Sequence, residues 1–167
     1  MKIAKIVSGG QTGADRGGLD AAIWCELAYG GWIPKGRKSE DGVIPFKYEG
    51  LKETKSADYL ARTEANVVDS DATIVFCQGA PSGGSRKTVE FAAKHGRPCL
   101  AVDMDKASAL DLVCTYVSRI AGESGVLNIA GSRESKSPGL ERSVTELMVD
   151  VISKVNGECF YPPPRGG

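Results

Sequence analysis

The chain has 167 residues, of which 41% are apolar and 25% charged. That composition excludes a disordered, tail-like polymer, and a chain of this length buries roughly 70% of its unfolded surface without needing disulfides or a structural metal. The 21 basic residues balance the 21 acidic ones, so a general nucleic-acid or membrane-surface binder, which needs a cationic surplus, is not expected.

Ile3–Ser8 is a β-branched apolar run and predicts a strand. The run stops after Val7, too short for a signal-peptide core and far below the ~20 residues that span a bilayer. Ala14–Leu27 carries Leu19, Ile23 and Leu27 at helical spacing, and Thr12 three residues before Asp15 suits a helix start with an acidic first turn. Tyr29–Ile33 is a weaker strand because of its two glycines. Residues 34–56 read as a long polar excursion rich in Gly, Pro and Lys, in which a further strand can hide. Ala57–Asp69 is expected to be helical, with Leu60, Ala61, Ala65 and Val68 on one side.

Ala72–Cys77 is apolar without alternation, the pattern of a strand covered on both faces. The loop Gly79–Ser85 follows, then a short helix at Thr88–Lys94, a strand at Cys99–Val102, a helix at Ala107–Ile120, a strand at Val126–Ala130 and a helix at Leu140–Val155. Alternating strands and helices with doubly buried strands predict an open, doubly wound, mostly parallel α/β sheet of five or six strands with helices on both faces. One domain is expected over residues 1–157, followed by an extended Pro/Gly tail at 158–167.

The cysteines, Cys25, Cys77, Cys99, Cys114 and Cys159, are odd in number and show no CxxC spacing. They read as buried free thiols of a reducing cytoplasm. With His95 the lone histidine, no metal site is expected.

In such a sheet, ligands bind beyond the carboxyl ends of the strands. Ser8-Gly9-Gly10-Gln11-Thr12-Gly13 joins the first strand to the first helix, where unpaired N–H groups and the helix dipole can hold an oxyanion. It lacks both the GxGxxG spacing and the GK[ST] of a P-loop; the alternative is a plain tight turn. Ser82, Gly83, Gly84 and Ser85 repeat the device after the most buried strand, with Glu90 further along the helix able to accept from a ribose hydroxyl. Arg133, with Ser132 and Ser135, stands in the loop after the last strand, where a guanidinium can pair with an oxyanion. Lys35, Arg37 and Lys38 form a cationic cluster that suits a pyrophosphate or is simply solvated.

The segments Ser8–Arg16, Pro34–Arg37 with Glu40–Gly42, Ser56–Tyr59, Arg62–Glu64, Asn66, Asp69–Asp71, Ser82–Ser85 with Glu90, and Asn128–Ser135 together resemble the molybdenum carrier family (molybdenum cofactor carrier protein-like). The resemblance covers about residues 3–155, and it places the chain in the wider SLOG and lysine-decarboxylase-like nucleotide-binding group. It implies a Rossmann-like fold, a homo-oligomer (dimer or tetramer), and a protein that binds and stores or protects molybdenum cofactor, a pterin with one phosphate. The related phosphoribohydrolases carry PGGxGTxxE. Here Gly83, Gly84 and Glu90 keep the spacing, but Ser82 replaces the proline and Arg86-Lys87 replace the Gly-Thr pair. A cytoplasmic carrier of a small phosphorylated ligand is therefore expected, with molybdenum cofactor first and a nucleotide or phosphate second. The alternatives are a nucleotide N-glycosidase acting through Glu90 and a nucleotide-sensing domain.

Overall fold

The structure is a computed structural model, and it describes residues 1–120 and 124–157. The expected tail at 158–167 and Cys159 lie outside the described residues. Among the described residues, eight strands and five helices follow one another as β1 (Lys5–Val7), α1 (Ala14–Trp24), β2 (Ala28–Ile33), β3 (Lys38–Ser39), β4 (Gly42–Val43), β5 (Leu51–Glu53), α2 (Tyr59–Val68), β6 (Ala72–Cys77), α3 (Gly83–Lys94), β7 (Cys99–Asp103), α4 (Ala109–Arg119), β8 (Val126–Gly131) and α5 (Leu140–Asn156).

Six strands form one parallel sheet in the order β5-β2-β1-β8-β6-β7. The crossovers from β1 to β2 and from β7 to β8 run one way along the sheet. Those from β5 to β6 and from β6 to β7 run the other way. Right-handed connections then put α1 and α4 on one face and α2 and α3 on the other. The packing agrees: α5 lies against α1 and α4, and α2 lies against α3. This is the doubly wound α/β architecture expected from the alternation. The sixth strand is β5, inside the excursion, and it pairs with β2 because Gly31, Trp32 and Ile33 align with Leu51, Lys52 and Glu53.

All six residues of β6 are buried. Its Ile74 and Phe76 join Ile6, Leu127, Ile129, Val144 and Met148 in the main core. The helix α1 uses a different stripe from the expected one. Leu19 is buried, but Ile23 is 41% exposed. Two glycines set the rotation: a Cβ at Gly17 would lie 2.6 Å from the Glu141 carbonyl, and one at Gly18 would lie 2.7 Å from Ile129. Close approach to α5 and β8 therefore turns Ala14, Gly17, Gly18, Ala21 and Ala22 inward. Leu60 likewise stays 40% exposed instead of joining the buried side of α2.

The start of α3 corrects the sequence reading most. The helix begins at Gly83 with Ser82 as its N-cap residue, not at Thr88. The glycine pair expected in the loop is its first turn, entered through Gly83 at φ 53°, a conformation that glycine adopts without a Cβ penalty. Among the four described cysteines, Cys25 and Cys77 are buried and Cys99 and Cys114 partly buried. Burial pushes the Cys99 thiol up to about 11. No helix among the described residues is long and apolar enough to cross a membrane.

Candidate functional site

The strand order reverses direction around β1, β8 and β6, and a crevice opens beyond the carboxyl ends of these strands, where such sheets bind ligands. It encloses about 660 Å³ including its open mouth. Gln11 and Asp15 form one wall. Tyr59, Leu60 and Arg62 of α2 form another, and Ser82, Gly83, Gly84 and Ser85 stand opposite the loop that carries Arg133 and Lys136. The turns at residues 8–13, 79–85 and 131–137 thus meet at one rim.

They do not meet in the same state. Every residue from Ser8 to Leu19 is buried, and the N–H groups of the first turn are already engaged. Gly10 donates to Ser8 Oγ (3.3 Å), Gln11 to Asp15 Oδ2 (3.1 Å), Thr12 to Gln11 Oε1 (3.1 Å) and Gly13 to Glu141 Oε1 (3.3 Å). The Gly9 N–H also serves Asp15. The glycines make room for side chains of the protein itself: a Cβ at Gly9 would fall 2.6 Å from Arg62 Nη1, and one at Gly10 would fall 2.9 Å from Ile44. Thr12 does not cap α1; its hydroxyl donates to Glu40.

The excursion holds this turn closed. Arg16, buried at the start of α1, donates to both carboxylate oxygens of Asp41 (2.7 and 2.8 Å), to Ser39 Oγ and to the Gly10 carbonyl. The Arg16 guanidinium and the Ser39 hydroxyl keep the Asp41 carboxyl well below the usual carboxylate range. Burial raises Asp15 instead, against the opposing charge of Arg62, whose Nη1 is 3.8 Å away.

The turn before α3 is open. Ser82, Gly83 and Gly84 are exposed. Ser82 makes no side-chain cap, and no acidic residue occupies the first turn. The N–H groups of Gly83 and Gly84 have no acceptor among the described residues. Nothing lies within 4 Å of a Cβ placed on Gly84. Lys136 Nζ donates to Ser82 Oγ at 2.9 Å and has no carboxylate partner among the described residues.

The remaining sequence candidates scatter. Arg133 lines the crevice and also reaches Glu40 at 3.9 Å. Ser135 faces Glu40, with its N–H at 3.2 Å and its hydroxyl at 2.5 Å. Arg37 does not reach the crevice; it turns inward onto the carbonyls of Ile44, Pro45 and Tyr48 and ties the excursion together. Lys35 is exposed and outside the crevice lining. Glu90 points to solvent, paired with Arg86 (3.4 Å) and Lys87 (3.2 Å), and does not line the crevice.

Two crevice cations escaped the sequence reading. Lys136 stands next to Ser135 in the loop after the last strand, without a helical or strand period to single it out. Arg62 enters the sequence reading only through the resemblance of Arg62–Glu64, with no site role assigned to it. Its guanidinium stacks over Tyr59 (5.4 Å), its Nη1 donates to Thr63, and its buried Nε has no partner among the described residues.

Residues 6–152 match the circularly permutated YpsA SLOG family. The chain belongs to that family. This SLOG chain is also similar to a crystal structure from Syntrophus aciditrophicus named "putative molybdenum carrier protein". The TM-score is 0.84 and the identity 43%, covering 90% of this chain and 95% of that one. No curated protein matches it. Among the described residues of this family member, no group of three His, Cys, Asp or Glu side chains could hold a metal ion. Its crevice offers hydrogen-bond donors and positive charge.

Proposed function

We propose that this SLOG-family protein is a cytoplasmic, homo-oligomeric binding and carrier protein for a small phosphorylated ligand, molybdenum cofactor first and a nucleotide second. The observation that carries the reading is the open N-terminus of α3 with Lys136, Arg133 and Arg62 around one crevice. The free N–H groups of Gly83 and Gly84 and the positive end of the helix suit a phosphate. Lys136 adds a positive charge beside Ser82, and Arg62 Nε, without a partner among the described residues, is a buried donor that a ligand acceptor would satisfy. Tyr59 and Leu60 give an apolar wall for a planar ring.

The residues fit the phosphate and oxyanion groups of molybdenum cofactor as donors to oxygen, not as ligands to the metal. The cofactor is cargo here: the chain's own task is to bind the phosphate, orient the ring and shield it from water. The name of the Syntrophus relative supports this cargo. Titrating the protein with molybdenum cofactor, molybdate, AMP and ADP-ribose while following the melting temperature tests the reading. A saturable rise with the cofactor or AMP, and none with molybdate alone, is expected. No rise with any of them would refute it.

A further inference from the structure

Two sets of oxyanion donors share the loop between β8 and α5: one lines the crevice, and the other lies outside its lining and is joined to it by Arg133, which lines the crevice and stands 3.9 Å from Glu40. Lys136 serves the first and its neighbour Ser135 serves the second. The first set is the open start of α3. The second is made by the Thr12 hydroxyl, the Ser135 N–H and hydroxyl, and Arg133, and all of them face one carboxylate, that of Glu40. Such a set of neutral and cationic donors is what a bound oxyanion calls for.

Glu40 is fixed in that place. Its backbone N–H donates to Gln11 Oε1 at 2.9 Å. The adjacent Asp41 is clamped by Arg16, so the β3–β4 hairpin cannot swing without breaking a bidentate pair. Partial burial opposes its ionisation, but the Ser135 and Thr12 hydrogen bonds and Arg133 outweigh this and hold the carboxyl below its ordinary range. At neutral pH the occupant is therefore a negative charge contributed by the chain itself.

Resting on the ligand-binding reading above, we infer that Glu40 is the specificity-determining residue of the crevice: an internal anion that fills one of two adjacent oxyanion positions and restricts the ligand to a single phosphate group. A monophosphate takes the α3 nest, and its remaining face meets Tyr59 and Arg62. A diphosphate extending along the rim toward Arg133 and Ser135 meets a carboxylate that already holds the Ser135 hydrogen bonds and stands 3.9 Å from the Arg133 guanidinium. Rejection then comes from repulsion and from donors already committed, a discrimination built against the wrong ligand.

The test is calorimetric titration of the full chain with phosphate, pyrophosphate, AMP and ADP. The wild-type protein is expected to bind each monophosphate at least tenfold more tightly than its diphosphate. Glu40→Gln keeps an acceptor for Thr12 and Ser135 but removes the charge. It is expected to erase that preference, mainly by tightening pyrophosphate and ADP, whereas Glu40→Asp retains it. An unchanged ratio in Glu40→Gln, with the protein folded and monophosphate still bound, overturns this inference and leaves the carrier reading intact. A wild-type preference for diphosphates overturns it without any variant. Binding of none of the four probes overturns it as well, and a melting shift with molybdenum cofactor then shows whether the carrier reading survives alone.

Discussion

The turn after β1 and the turn after β6 share a glycine-rich composition and a place at the same rim, yet one is closed and the other open. In the first, Asp15, Gln11, Glu141 and Ser8 take the N–H groups, Arg62 and Ile44 fill the space that Gly9 and Gly10 leave, and Arg16 holds the Gly10 carbonyl. In the second, the N–H groups of Gly83 and Gly84 face solvent, and Lys136 stands beside them. Glycine next to a helix start therefore reports close backbone approach, but not what approaches. At Gly9 it is a side chain of the same protein. At Gly84 it is open space.

The sharpest way to break the contrast is a methyl group in each turn. Gly13 has φ 84° and ψ −130°, and its Cβ would lie 2.3 Å from the Ser132 carbonyl. Gly13→Ala is expected to cost about 3 kcal/mol or more through strain and overlap together. Gly84→Ala, in a helical turn with open space, is expected to be neutral or to stabilise by up to about 1 kcal/mol. Urea unfolding of both variants checks this, and equal losses would show that the two turns are equally closed.

Next is Arg16→Ala, which leaves the Gly10 carbonyl, Ser39 and Asp41 without their donor; about 3 kcal/mol is expected, read as a lower urea midpoint at unchanged slope. The same pair carries a pH dependence. The folded carboxyl of Asp41 titrates below its unfolded value, so its stabilisation is present above about pH 4 and is lost as the pH falls below that. The difference in melting temperature between the wild-type protein and Asp41→Asn is accordingly expected to be constant near neutral pH and to shrink on acidification. A difference that grows on acidification would refute the pairing.

On the open side, Lys136→Ala is expected to weaken phosphate or AMP binding about tenfold, the equivalent of about 1.4 kcal/mol, with little change in melting temperature. The smallest effect belongs to Glu90→Gln: a change in affinity within a factor of about two, because its partners are exposed i,i+3 and i,i+4 cations worth a few tenths of a kcal/mol. A large loss there would bring Glu90 into the site and revive the glycosidase alternative.

Much of the fold was legible in the sequence. The doubly buried β6 announced itself as an unbroken apolar run, and α5 by the spacing of Val144, Met148, Val151 and Val155. β5 was hidden because three residues, two of them charged, carry no periodic signal. In the site, the cations at Lys35 and Arg37 were visible as a cluster but face away from the crevice. Arg62 was visible only within a segment of the family resemblance, and its place in the site was not, because nothing in a helical repeat marks which of its outward side chains will meet a turn from another part of the chain.

What the sequence determined by itself was local: strand and helix alternation, the places where glycine lets the backbone turn, and hence a parallel sheet with its ligand edge at the strand ends. These follow from hydrophobic period and backbone sterics, which act over a few residues. Only the tertiary structure decided which turn is sealed and which is open. That choice depends on Glu40 and Asp41 crossing to Thr12, Ser135 and Arg16, and on Glu141 reaching Gly13 over 128 positions of chain. Hydrogen bonds and charge pairs act over a few ångströms in space, so the identity of the partner is fixed only when the fold brings it there.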